Sequence, residues 1–340
     1  MTASSATAPS GAVYDRGYRP FEGTLGGRRA ARAAVYRASL RRAVGLRRSW
    51  RQKLFPWFLL AVASVPAVVW VGVAYITRGT PAEAVEIITY REYLGVSTAL
   101  LVFVAFAAPD VLCPDRRHRT LPLYFARPLT GTDYAVAKVG AIATLVFAFS
   151  FLPQVVLYVG QLLVSDGAFE YFGNNLEVLW KIPVATVAFS AYFSLLACAI
   201  ASLTTRRIIA AATLLILLLG SSGFAAGLSE ASGASERPDG FQVELDEDGV
   251  EGDAPVGTGP NSTIAPGPIL REYEDPSSAW GAVDLLDAPM HVRDLVFEGE
   301  VIEVYLAGVD GAGLLAVSVY LLVVMTSAGT LWWRYRWVEP

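Results

Sequence analysis

Two histidines and two cysteines are all that 340 residues contain of those types, and the scarcity closes several routes to chemistry. His118 and His291 fall on opposite sides of the topology derived below, so no histidine-based metal site is expected. Cys113 and Cys198 offer no disulfide framework and read as small packing residues. The chain has no His-Glu-x-x-His, no Gly-x-Ser-x-Gly and no pair of intramembrane aspartates. A phosphate-cradling Gly-x-x-x-x-Gly-Lys-Ser/Thr loop is missing too. The expectation is a chain that is not an enzyme, holds no metal or cofactor of its own, and cannot hydrolyse ATP by the P-loop route. Residues 1–53 have no apolar core, so no cleavable signal peptide is expected. Charge is also missing from the middle of every long apolar segment; only Asp110 stands inside one, near its end, within reach of interfacial water or Arg116. A charge held in the bilayer costs several kcal/mol and normally marks an ion pathway. A proton- or sodium-coupled carrier therefore loses ground.

What the chain has instead is apolar length. Mean hydropathy is +0.44 and 54% of residues are apolar, unusual for a soluble domain. Six apolar segments run over 54–76, 93–113, 139–164, 182–203, 208–228 and 311–333. Each approaches or exceeds the roughly twenty residues that a helix needs to cross about 30 Å of hydrocarbon. The third, with 26 residues, must tilt, kink or project. The expected fold is an all-α integral membrane protein with six transmembrane helices. Residues 1–53, 114–138, 204–207 and the C-terminal end carry 21 of the 27 basic residues, and six crossings put them all on one side. The opposite loops, 77–92, 165–181 and 229–310, hold six basic residues and 25 acids. The positive-inside rule then places both termini in the cytoplasm of a multi-pass plasma-membrane protein, the cell inner membrane.

The chain divides into a cytoplasmic tail (1–53), five spans with an intervening loop (54–228, loop 114–138), an acidic outer loop (229–310) and a last span with a cytoplasmic end (311–340). Residues 28–53 are rich in Ala, Arg and Leu and predict an interfacial basic helix, broken near Gly45. It serves either as a topogenic basic tail or as an elbow that fixes the first span. In the outer loop, 241–245 before Asp248-Gly249 suits a small hairpin. The apolar rhythm from Trp280 to Phe297 suits two short helices parted at Pro289. The acidic run lacks an EF-hand register, and a solvated loop outweighs a cation site. Asn261-Ser262-Thr263 has the form of a glycosylation sequon. In the third segment, Gln154, Tyr158 and Gln161 share one helical face, either lining a pathway or gluing helices together. Gly223 and Gly227 form a small-xxx-small pair that permits close helix contact.

The loop between the second and third spans has more features than a connection requires. A basic start (Asp115, Arg116, Arg117, His118, Arg119) leads through Thr120 into an apolar ridge of Leu121, Leu123, Tyr124 and Phe125. Arg127-Pro128 follows, and then a fresh helix start that Thr132 or Asp133 can cap. Such a ridge suits docking to a soluble protein or lying flat on the membrane. Thr120-Leu121, Arg127-Pro128, Tyr134 and Lys138, in that order, make this segment resemble the first intracellular loop of permeases in the type-2 ABC exporter family. Two positions depart from that pattern: Arg119 stands where glycine is common, and Asp115 where glutamate is usual. The basic elbow, the six spans and the long outer connection fit the same family, over about 28–336.

The resemblance implies a homodimer, or a heterodimer with a similar permease, docked on ABC ATP-binding subunits that hold ATP and magnesium. Coupling to the ATPase would fall to Arg116, Arg117, Arg119, Thr120, Leu121, Tyr124, Phe125, Arg127 and Pro128. Gln154, Tyr158 and Gln161 would lie on the path of a hydrophobic or amphipathic export substrate. The short outer helices would act as a gate. No nucleic-acid partner is expected. The rival reading is a non-transporting membrane anchor or assembly protein whose acidic loop binds a surface partner.

Overall fold

The computed structural model describes residues 26–46, 50–78, 80, 89–94, 98–126, 128–165, 167–234, 279–302, 306 and 309–336. Among them every regular element is helical: α1 (Gly27–Ala43), α2 (Trp50–Thr77), α3 (Tyr90–Tyr93), α4 (Thr98–Arg117), α5 (Leu121–Phe125), α6 (Gly131–Val164), α7 (Ala168–Asn174), α8 (Leu176–Leu203) and α9 (Arg207–Ala234) come first. A short 3-10 turn (Ala279–Val283), α10 (Ala288–Phe297) and α11 (Ala312–Arg336) follow. Six of these are long and apolar enough to span a bilayer: α2, α4, α6, α8, α9 and α11. The expected hairpin, acidic run and sequon lie outside the described residues, as does Arg127.

Spans two and four form the centre. Three quarters of the apolar stretch that includes α4, and 67% of that in α8, is buried, against 11% in α2 and 22% in α11. The exposed surfaces of α2, α9 and α11 are dominated by large apolar side chains such as Val68, Ile76, Ile216, Leu219, Leu322 and Met325, as lipid contact requires. The core closes on aromatic pairs such as Phe103–Phe149, stacked at 4.9 Å, and Tyr192–Tyr320 at 5.5 Å. Gly160 lets α6 approach α2 so closely that a Cβ there would collide with Val71. At Pro66, where α2 loses a backbone donor, the Tyr93 hydroxyl enters the helix ladder. It accepts the Ala67 N–H at 3.1 Å and donates to the Ala63 carbonyl at 2.7 Å.

Helix boundaries differ from the apolar segments in a systematic way. α6 has 34 residues, eight more than its apolar run at the N-terminal side, and α8 starts at Leu176 rather than Ile182. Hydropathy marks what lies in lipid; capping marks where a helix begins. The cap of α6 is Thr130, not Thr132 or Asp133: its hydroxyl accepts the Asp133 N–H while the Asp133 carboxylate accepts the Thr130 N–H, a capping box. At about 1.5 Å per residue, α6 exceeds the hydrocarbon thickness by some 20 Å.

α1 packs along the first turns of α6 and ends as expected near Gly45. Gly45 adopts φ 75°, with Leu46 N–H on the Arg41 carbonyl and Gly45 N–H on the Arg42 carbonyl, the Schellman pattern. At the other end, α3, α7, the 3-10 turn and α10 cover the mouth of the bundle. The break between the two outer helices falls at Asp284, whose carboxylate accepts the Leu286 N–H at 2.8 Å and the Asp287 N–H at 3.3 Å. Pro289 sits within the first turn of α10, where its missing donor costs nothing, so it does not part the helices.

Candidate functional site

The richest polar cluster outside the outer cap lies where the C-terminal end of α4, the start of α6 and the end of α1 meet. Asp115, in the last turn of α4, is 4% exposed. Its Oδ2 accepts Lys138 Nζ at 2.7 Å and the Tyr134 hydroxyl at 2.9 Å; its Oδ1 accepts Arg42 at 3.1 Å. One carboxylate thus ties three helices, with every bond charge-assisted. Lys138 also donates to the Val111 carbonyl at 3.1 Å, completing a lysine that is 3% exposed. Arg28 adds a second clamp, pairing with the Asp133 carboxylate at the cap of α6.

Tyr134 carries the cluster toward the loop. Its ring packs against Tyr335 of α11 at 5.2 Å, against Tyr124 of α5 at 5.4 Å and against Phe125 at 6.3 Å. A Cβ at Gly131 would run into the Tyr335 carbonyl, so α11 ends in close contact with the start of α6. Burial, reinforced by the Asp115 charge, pushes the Tyr124 phenol above its ordinary range, which keeps it protonated.

The expected coupling residues therefore divide into two sets. Leu121, Tyr124 and Phe125 turn inward against the core, and Arg116 reaches across to the Ser202 carbonyl at the end of α8. Thr120 Oγ1 donates to the Asp115 carbonyl at 3.1 Å. Arg117, Arg119 and Pro128 are exposed, and Leu123 presents 71% of its surface at the tip of α5. The apolar ridge is thus not a continuous exposed strip. The physical reason is helical: Leu121, Tyr124 and Phe125 share the i, i+3, i+4 face, and Leu123 points the other way.

Arg119 has φ 51°, the left-handed conformation. Arg119 N–H bonds the Arg116 carbonyl and Thr120 N–H bonds the Asp115 carbonyl, closing α4 with the same Schellman turn that ends α1. A glycine is the ordinary occupant of that position, because a Cβ there meets the backbone.

Two further expectations meet the structure differently. Asp110 pairs with Arg207 of α9, while Arg116 reaches the Ser202 carbonyl. Gln154 and Tyr158 come together beneath α3 and α7, with Gln154 Nε2 on the Tyr90 carbonyl at 3.2 Å and Tyr158 between Tyr90 and Tyr171. Gln161 stands apart, partly exposed, one turn nearer the end of α6. The Arg42–Asp115 contact had no local signal, since the arginines of α1 do not segregate to one face. Buried Arg293 and Asp294 in α10, joined by Arg91, form a network at the opposite end that loop composition did not reveal.

No protein-family model, curated protein or solved structure matches this chain.

Proposed function

We propose that this chain is the membrane-spanning permease subunit of an ATP-driven exporter of the type-2 ABC family, with both termini in the cytoplasm of the plasma membrane. The observation that carries the reading is the turn at Arg119 and what it positions. The residue that stands where the family pattern has glycine adopts a glycine conformation. The turn sets α5 against Tyr134, and beneath it Asp115, where that pattern usually has glutamate, accepts from both Tyr134 and Lys138. Short motifs match by chance; their convergence on one junction is harder to obtain so.

In this reading α5 is the element that a soluble ATPase grips. A partner shifts a conformational equilibrium only through different affinity for its two states. Force on α5 passes through Tyr124 to Tyr134 and thence to Asp115, the residue shared by α1, α4 and α6. ATP and magnesium would reside in the partner, and a second permease chain would complete the pathway. The expected cargo is hydrophobic or amphipathic, in keeping with spans that carry charge only near their ends.

The test is isolation from native membranes in mild detergent with mass spectrometry of stoichiometric partners. An ABC ATPase near equimolar ratio is expected, and Leu123→Asp should remove it while leaving thermal unfolding unchanged. Leu123 is the informative position because Tyr124 and Phe125 also hold the fold. Recovery without any ATPase in several detergents and nanodiscs would support the anchor or assembly reading instead.

A further inference from the structure

A cavity of about 370 Å³ opens on the basic side of the bundle, between the end of α1, the start of α2, α4 and the start of α9. α2 and α9 both pack on α4, but scarcely on each other, so the cavity lies in a lateral cleft between spans one and five. Its floor is apolar, formed by Phe55, Phe103, Phe106 and Ala107. Phe55 and Phe106 remain 42% and 48% exposed, which leaves the floor open to an acyl chain. Its rim is charged: Arg42 from the last turn of α1, Arg207 at the first residue of α9, and Asp110 between them.

The charges do not cancel. Arg42, Arg207 and Lys138 face two carboxylates, Asp115 and Asp110, through the contacts already described. Among the described residues, these contacts leave one positive charge in excess at the boundary between apolar floor and basic face. Each guanidinium also has five N–H donors, of which those on one nitrogen engage its carboxylate. The remaining forks suit the paired oxygens of a phosphodiester. A free phosphate would leave the phenylalanine floor unfilled; a zwitterionic headgroup would bring a second cation against the arginines.

We propose that this cavity seats one anionic phospholipid of the leaflet on the basic side, its phosphate between Arg42 and Arg207 and an acyl chain over Phe55 and Phe106. The proposal requires the membrane spans and not the transport reading. A lipid held there would bridge the elbow helix to spans one, two and five.

The test is native mass spectrometry of the full chain, delipidated in detergent and reloaded with dioleoylphosphatidylglycerol, dioleoylphosphatidylcholine or inorganic phosphate. One phosphatidylglycerol per chain is expected, retained about fivefold or more over phosphatidylcholine, the discrimination one membrane-surface charge supplies. Arg207→Gln should remove that preference with phosphatidylcholine retention unchanged, and Ala107→Phe should expel the lipid with Arg207 intact. Equal retention of the two lipids in the unmodified chain overturns the proposal, and this comparison stands even where a variant fails to fold. Displacement by millimolar inorganic phosphate would make the site a free-anion site. A dimer lost in Ala107→Phe with no lipid retained would give the face to a second copy. Either result also overturns it.

Discussion

Lys138 and Asp115 show what a single buried pair can be worth. Both side chains are almost wholly enclosed, so neither charge has water to fall back on when its partner is removed. Lys138→Met should therefore cost about 3–5 kcal/mol, because it leaves the Asp115 carboxylate buried with only the peripheral Arg42 as counter-ion. The double variant Asp115→Leu/Lys138→Met should recover much of that loss, which thermal unfolding of the four-member cycle in nanodiscs would read directly. No recovery would mean that Arg42 and Tyr134 depend on the carboxylate for more than charge. Arg119 predicts a change of opposite sign. Its left-handed backbone costs an L-residue energy that glycine does not spend, so Arg119→Gly should stabilise the chain by about 0.5–1 kcal/mol. A loss of stability there would show that the Arg119 side chain makes a contact outweighing the strain.

At the scale of elements, α5 is the one whose role and stability can be separated. Its inner face rests on Tyr134, and its outer face offers Leu123 and Pro122. Leu123→Asp should alter unfolding by no more than about 0.5 kcal/mol, as exposed substitutions do, whereas Tyr124→Asp should cost several times as much. If the two variants destabilise alike, α5 is not seated as described. The closure of α6 against α11 yields a matching test: Gly131→Val must push the Tyr335 carbonyl away. Spin labels near the two helix ends should then move apart, with the rest of the bundle unchanged. How much of this was legible in sequence follows from what each element depends on. The six spans were, because apolar length is a local property that lipid reads directly. The extra turns of α6 and α8 were not: 131–138 start at a capping box on Thr130, and in 176–181 the charged pair Glu177 and Lys181 interrupts an otherwise apolar run. The aromatic face of α5 is legible in its i, i+3, i+4 spacing, which makes a two-sided helix of what composition alone presents as a linear ridge. The Arg42–Asp115 bond joins residues 73 apart and left no pattern along the chain.

The whole molecule is polarised. One end gathers α1, α5, the start of α6 and the end of α11 around basic residues; the other gathers α3, α7 and α10. An even set of spans returns the end of α11 to the side of α1, which the contact of Gly131 with Tyr335 satisfies. Aromatic residues stand at both levels, Trp57, Trp332 and Trp333 toward the basic end and Trp180 toward the other, all roughly half exposed as interfacial anchors are. By the positive-inside rule the basic end would face the cytoplasm, and the prediction that follows is a direct one. Leu123 and Phe169 are 71% and 95% exposed at opposite ends, and both native cysteines are buried, so no background thiol need be removed. In intact cells, a membrane-impermeant maleimide should label Phe169→Cys and spare Leu123→Cys; permeabilisation should make Leu123→Cys label as well. The reverse pattern would invert the chain, put α5 beyond the reach of any cytoplasmic ATPase and remove the basis of the permease reading. Labelling at both positions in intact cells would show that the chain does not separate its two ends across one membrane.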